Sequence, residues 1–390
     1  MDAKRILTNG VFCPMPWKGL MYNFDGKVKN CIRSAGSIGN IKDNSIQDIL
    51  YGETNLHTQE CMLNDQPGPD CHTCYDLEGG KRAFDIISDR IFYIRELKQE
   101  PLSDYAHNNH DLKAIDIRWS NLCNFACVYC SSEFSSKWAS ELKQHVEQPS
   151  DQQLDDFKNY IFDNAKNYKH VYLAGGEPLL MKQNQDLLDI LLEQNPGVNL
   201  RINTNLSKTD TRVFDTVCKF ENVHWTISAE TTGEEFEYIR HGGSWKDFLD
   251  NLSIVKSTGH KISFNMLYFL LNYNSLFDTV DFFQDLGYHN NSFIIGALLS
   301  PLYLNVRHLP DDMLECIKIR LQKRIDKQPG YLLEDSYKNL LRYVEQPFEK
   351  DLANSISRLR MLDQRRNLDS RKTFRDLYNL ANVIYQGNDT

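Results

Sequence analysis

The sequence predicts an α/β chain: a partial (β/α)6 barrel with a small metal-cluster module in front and a helical extension behind. Two observations lead there. Between about residue 112 and residue 310, six short apolar runs alternate with amphipathic helical segments, the pattern of a parallel sheet assembled from βα units. Eight of the ten cysteines fall in the first third of the chain, and such clustering asks for a ligand.

Residues 1–105 carry Cys13, Cys31, Cys61, Cys71 and Cys74 among turn-forming stretches such as Asp25-Gly26 and Pro67-Gly68-Pro69, with little sustained periodicity before residue 83. Residues 106–310 hold the six strand candidates, at 114–118, 170–174, 200–203, 224–228, 261–266 and 292–296. Ser150 with Gln153 forms a capping box, and Leu154, Phe157, Ile161 and Ala165 then share one helix face. The next helix, around 187–192, stops at Asn195-Pro196-Gly197, and a later one carries Leu276, Val280 and Phe283 before Gly287. Residues 311–390 are expected to be helical, with Leu352, Ile356 and Leu359 as one stripe. On the same grounds Cys218, beside Phe214 and Val217, and Cys316, beside Met313 and Ile317, are expected in the core.

A hydrophobic content of 41% with a mean hydropathy of -0.51 excludes both a disordered chain and a membrane-spanning one. Forty-four Lys and Arg against 53 Asp and Glu leave a net charge of -9, which argues against generic nucleic-acid binding by phosphate neutralisation. The amino terminus lacks the apolar stretch of a signal peptide, and no run approaches the ~20 apolar residues of a membrane span. A cytoplasmic location is expected. In that reducing compartment clustered cysteines bind metal or do redox chemistry rather than form disulfides.

Just after the first strand candidate stands Cys123-Asn-Phe-Ala-Cys127-Val-Tyr-Cys130. Three thiolates can hold three irons of a 4Fe-4S cluster and leave the fourth open to another ligand, whereas zinc would ask for a fourth protein donor. At the end of the second strand candidate comes Gly175-Gly176-Glu177-Pro178, whose glycines let backbone groups approach a ligand closely at the edge where barrels place their sites. C-x3-C-x2-C followed by Gly-Gly-Glu-Pro resembles the radical S-adenosylmethionine (radical SAM) enzymes. The resemblance implies a TIM-like partial barrel and S-adenosyl-L-methionine bound to the open iron. It also implies one-electron cleavage to a 5′-deoxyadenosyl radical that abstracts hydrogen from a substrate C–H bond.

By the same resemblance Tyr129 packs near the adenine, and Gly175, Gly176, Glu177 and Pro178 orient the methionyl amino group. Thr204, Asn205, Ser228 and Glu230 reach the ribose or carboxylate, and Arg240 offers its planar fork to the carboxylate. The amino-terminal segment, with Cys13-Pro-Met-Pro-Trp17, Cys31 and Cys71-His-Thr-Cys74, is similar to the auxiliary-cluster module of the SPASM/twitch class, here preceding the core. It implies a second 4Fe-4S cluster on Cys13, Cys31, Cys71 and Cys74, with a structural zinc on the same thiols as the alternative. Cys61 is left over, as a packing thiol, an alternative ligand or a hydrogen-atom donor. The auxiliary cluster would assist oxidation or electron relay, fed by an external one-electron donor of flavodoxin or ferredoxin type. A small-molecule or nucleotide-linked substrate is favoured, with a peptide- or protein-modifying maturase or epimerase as the alternative. From another class stands a non-catalytic iron–sulfur or zinc protein used for electron transfer or scaffolding. The tail basic run, Arg358, Arg360, Arg365, Arg366, Arg371, Lys372 and Arg375, is a solvated face or an anion-docking surface.

Overall fold

The structure is a computed structural model that describes residues 10–78, 88–97, 105, 109–327 and 332–380. The chain divides into two compact units. One comprises Met1–Leu122, Lys143–Asn203 and Asp210–His224, the other Cys123–Leu142, Thr204–Thr209 and Trp225–Thr390.

All six apolar runs of the core form strands: β4 (Ala114–Ile117), β5 (His170–Leu173), β6 (Asn199–Thr204), β7 (Val223–Ser228), β8 (Lys261–Tyr268) and β9 (Phe293–Ala297). Three more precede them, β1 (Gly19–Tyr22), β2 (Lys27–Lys29) and β3 (Gly39–Asn40). In the first unit the strand order is β3-β2-β1-β4-β5-β6. The β1–β4, β4–β5 and β5–β6 pairs are parallel, while β1–β2 and β2–β3 are antiparallel. The amino-terminal segment thus adds its own strand to the parallel sheet, with Leu20 opposite Ile115 and Tyr22 opposite Ile117. Strands of two to four residues are too short to show the alternation by which a sequence announces them, so the expected lack of periodicity before residue 83 conceals real structure.

The helix Asp151–Asp163 carries both halves of the expected capping box, and Phe157 and Ile161 are its buried anchors. In the second unit β8 and β9 pair in parallel, and Leu276, Val280 and Phe283 of the helix Leu276–Asp285 are buried, Phe283 stacking on Phe264 of β8 at 4.0 Å. The tail is helical over Asp311–Lys327, Leu332–Val344 and Leu352–Arg366, with Leu352, Ile356 and Leu359 buried as expected; residues 381–390 lie outside the described residues. Among the described residues no helix is long and apolar enough to cross a membrane.

The two cysteines expected in the core are corrected. Cys316 is exposed, because the buried stripe of its helix runs through Leu314, Ile317, Leu321 and Ile325 and leaves Cys316 at its margin. Cys218 is half-buried: it is the C-cap of the short helix Arg212–Val217 and so lies past the last turn that packs.

Candidate active site and metal-binding cysteines

In the second unit the segment bearing Cys123, Cys127 and Cys130 has no secondary structure of its own, and its shape is imposed from two sides. Ala126 N donates to His241 O at 2.9 Å and Val128 N to Ile239 O at 2.8 Å, which ties it to the end of the helix Gly233–Ile239. From the other side Ser135 Oγ donates to Phe125 O at 2.6 Å, Trp138 Nε1 to Cys127 O at 2.7 Å, and Ser136 Oγ accepts from Cys123 N at 3.1 Å. Gly243 and Gly242 let this happen: a Cβ at Gly243 would lie 2.9 Å from the Phe125 ring and one at Gly242 3.0 Å from Asn124 O.

Cys127 is buried, and Cys123 and Cys130 are half-buried. Burial lifts the Cys127 thiol pKa despite the Arg240 charge beside it, and burial together with Cys127 pushes Cys130 up to about 12. Asn205 Nδ2 lies 3.8 Å from Cys123 Sγ and Arg240 Nη1 4.0 Å from Cys127 Sγ. Two of the expected cofactor-binding residues therefore stand against two of the expected cluster cysteines.

Tyr129, Glu230 and Arg240 come together as one buried network. Arg240 donates through Nε and Nη2 to the two Glu230 oxygens, both at 2.8 Å, and through Nη2 to Tyr129 OH at 2.6 Å; Tyr129 OH donates to Glu230 Oε1 at 3.1 Å. The Arg240 fork, expected on a ligand carboxylate, is held by a protein carboxylate. Asn272, which sequence reasoning missed, donates to Glu230 O at 3.2 Å and to Leu267 O at 2.7 Å and fixes the backbone after β7. Ser135, Ser136 and Trp138 were missed as well; the signal was the run of serines closing on a tryptophan just after Cys130. Thr204 ends β6 and its Oγ1 accepts from Leu206 N at 2.9 Å, shaping the turn at Leu206, whose φ is +54°. Ser228 ends β7, half-buried.

The Gly175-Gly176-Glu177-Pro178 segment belongs to the first unit. Gly175 has φ +113°, and a Cβ on Gly176 would fall 2.2 Å from Leu122 O. Only glycine permits this approach, which lets Glu177 N donate to Leu122 O at 2.7 Å, one residue ahead of Cys123 in the chain. The Glu177 carboxylate is fully buried and accepts from Leu179 N at 3.1 Å, with Pro178 opening the short 3-10 turn.

Also in the first unit, Cys13, Cys31, Cys71 and Cys74 act on one another. Burial raises all four thiol pKa values, to about 12 for Cys31 and about 11 for Cys71, and the neighbouring thiolates raise Cys13, Cys31 and Cys71 further. Arg33 faces Cys31 and Cys74, and Arg90 Nη1 donates to Phe12 O at 2.8 Å beside Cys13. Cys61 stands on the helix Glu53–Leu63 with His57 Nε2 at 3.7 Å from its sulfur. The sulfurs are gathered without being closed into a coordination shell: among the described residues no three His, Cys, Asp or Glu side chains form a ready metal-holding group. Their chemistry fits an iron–sulfur group all the same, since crowded buried thiols that resist ionisation are relieved by a cation; the nearby Arg33 and Arg90 are themselves paired with Asp89 and Glu78.

Residues 117–283 match the sequence profile of the radical SAM superfamily, and residues 13–75 match that of an iron–sulfur cluster-binding domain, SPASM. Residues 117–283 are a radical SAM superfamily domain. The first match takes in the cysteine triplet and Gly175-Gly176-Glu177-Pro178, the second Cys13, Cys31, Cys71 and Cys74. Among curated relatives of this chain, 7-carboxy-7-deazaguanine synthase from Bacillus cereus is 31% identical over 86 residues, covering 22% of this chain and 34% of that protein. GTP 3′,8-cyclase from Sulfurimonas denitrificans is 25% identical over 152 residues, covering 37% and 43%. The chain thus spans well under two thirds of either relative. Among solved structures, native anSMEcpe with bound AdoMet superposes with a TM-score of 0.43 at 16% identity over 55% of this chain and 60% of that one. Streptococcus suis SuiB bound to S-adenosylmethionine gives 0.41 at 16% identity over 71% and 64%.

Proposed function

We propose that this chain is a radical SAM enzyme in which Cys123, Cys127 and Cys130 hold the cluster that binds S-adenosyl-L-methionine, and Cys13, Cys31, Cys71 and Cys74 hold a second, auxiliary 4Fe-4S cluster. Three parts carry the work: residues 1–105, 106–310 and 311–390. Bound there, the first cluster would supply an electron for C–S cleavage, so that a 5′-deoxyadenosyl radical takes hydrogen from a substrate C–H bond. What the chain's own residues do is position and seal. Ser135, Ser136 and Trp138 fix the backbone that carries the three sulfurs, and the buried Glu230–Arg240 pair keeps a guanidinium beside Cys127 without leaving its charge uncompensated. Gly176 brings the Glu177 segment to the residue before Cys123.

The observation that carries the reading is this pinned three-cysteine loop inside the segment that matches the superfamily. An external one-electron donor of flavodoxin or ferredoxin type would feed the site, and Cys61, beside His57, stays a candidate hydrogen-atom donor. The curated relatives are named for GTP and deazaguanine chemistry, which supports a nucleotide-linked or other small-molecule substrate over a peptide. Anaerobic reconstitution should load about eight irons per chain and, with dithionite, yield 5′-deoxyadenosine that is abolished in the Cys123→Ala/Cys127→Ala/Cys130→Ala variant. Equal yields from the two proteins, or stoichiometric zinc with no cleavage, would sink the reading.

A further inference from the structure

The tail helix Leu352–Arg366 stops where Asn367 turns left-handed at φ +53°, a conformation asparagine tolerates. Its last turn carries Arg365 and Arg366, where positive charge suits the carbonyl end of a helix. Arg366 does not face solvent. Its side chain is 2% exposed, its guanidinium lies 4.2 Å over the Trp138 ring, and its Nε donates to both Glu141 oxygens, at 3.2 and 3.1 Å. Trp138 and Glu141 stand three residues apart on the helix Ser136–Leu142 and so share a face. One planar guanidinium thus covers the ring and holds the carboxylate of a single helix, which the point charge of a lysine would not do. Arg365 adds a longer contact to Glu141, 3.6 Å, from the rim. Within the tail basic run, Arg366 is therefore neither a solvated charge nor one open to a docked anion.

Three residues before Arg366, and so on the same side of the tail helix, Asp363 grips a second helix. Its Oδ1 accepts from Tyr238 OH at 2.8 Å, and its Oδ2 accepts from Ser370 N at 3.0 Å and Ser370 Oγ at 2.6 Å. Tyr238 belongs to the helix Gly233–Ile239 and packs edge-on against Phe374 at 5.1 Å. The two helices gripped in this way are the two that shape the cysteine loop. The end of one takes the Ala126 and Val128 N–H groups through His241 O and Ile239 O, and Trp138 of the other gives its indole N–H to Cys127 O. A further contact comes from Tyr303, whose OH donates to Val128 O at 3.4 Å and which lies in the field of Arg358, Arg365 and Arg366. The backbone from 126 to 128 is held by partners that the tail helix meets in turn.

We propose that the tail helix is a brace for the cysteine loop, with Asp363 and Arg366 as positioning residues that hold the loop in shape before any metal arrives. The proposal rests on the reading of Cys123, Cys127 and Cys130 as cluster ligands. A loop without secondary structure loses conformational entropy when it is ordered, and ordering it in advance leaves more of the metal's binding energy as affinity. Asp363 and Arg366 act at a distance, through Tyr238 and Trp138, from a part of the chain 225 residues beyond Glu141.

The test follows hydrogen exchange in the full, metal-free chain. In Arg366→Met, exchange at the Ala126 and Val128 amides and the Trp138 indole should accelerate about tenfold, the effect of losing a desolvated cation–π contact and its ion pair, while the amides of β8 keep their wild-type rates. Unchanged exchange in the loop, or equal acceleration in the loop and in β8, overturns the proposal. Should Arg366→Met not fold, Tyr238→Phe removes a single hydroxyl from the other flank and carries the same test, with the same two outcomes fatal. After reconstitution, the variant should cleave S-adenosylmethionine about tenfold more slowly than the wild type, and full activity would show that the loop needs no brace. Cleavage by the wild type is measured in parallel. Loop protection that depends on Arg366 in a wild type that never cleaves keeps the brace and overturns the enzymatic reading, whereas cleavage with unaltered loop exchange does the reverse.

Discussion

Arg240 and Glu230 bury opposite charges, 4% and 1% exposed, with every strong contact between them direct. Such a pair stabilises little by itself, because desolvation offsets attraction, but removing one partner strands the other. Glu230→Ala should therefore lower unfolding stability by about 3 kcal/mol or more in denaturant titration, and adding Arg240→Met should restore a large part of it. A double variant no better than the single one would mean that the pair is held by something other than its own charge balance. At this scale the sequence was partly transparent. Glu230, Arg240 and Tyr129 were each nameable from the residues around them, but their mutual hydrogen bonds depend on a turn that brings positions 129, 230 and 240 to one point.

At the level of elements, the segment after β5 shows how a strand end is pressed against a neighbouring backbone. Gly175 takes a left-handed φ and Gly176 lies against the Leu122 carbonyl, so neither position tolerates a side chain. Gly176→Ala forces a backbone shift and should cost on the order of 1–3 kcal/mol. Its cleavage of S-adenosylmethionine, measured at a temperature where the variant is folded, should fall at least tenfold. Full activity would remove the segment from the site. The capping box at Ser150 was legible because it is local, two side chains serving two backbone groups three residues apart. The row of Asp116, Tyr172 and Arg201 across β4, β5 and β6 was not, since it exists only once register places them side by side.

For the whole molecule, the gathered amino-terminal thiols couple fold, metal and pH. Their pKa values lie above the ordinary thiol range, so the metal-free fold keeps them protonated near neutrality and each must release its proton on binding. Apparent affinity for a thiophilic probe such as cadmium should rise roughly tenfold per pH unit for each proton displaced, between pH 7 and 8.5. The sign is opposite for the metal-free chain. Groups whose pKa is raised in the folded state stabilise it below their unfolded value and lose that contribution as pH climbs toward about 11 for Cys71 and about 12 for Cys31. A titration with no proton release would show that these four thiols are not the ligands. The α/β class, the six core strands and the two cysteine groups were visible in the order of the residues because each is marked by short-range pattern. The two-unit division, the docking of β1 on β4 and the tie of the cysteine loop to residues 239–241 were not, because they are made by pairings across long stretches of chain.

The parallel pairing of β1 with β4 joins the cysteine-rich segment by backbone hydrogen bonds to the strand that leads to Cys123. β1 lies between Cys13 and Cys31, and β4 ends six residues before Cys123. If these thiols hold a metal as proposed, its loss is expected to loosen β1 and with it one edge of β4. Amide exchange at Leu20, Tyr22, Ile115 and Ile117 would report this as a single unit, accelerating together when the amino-terminal thiols lose their metal.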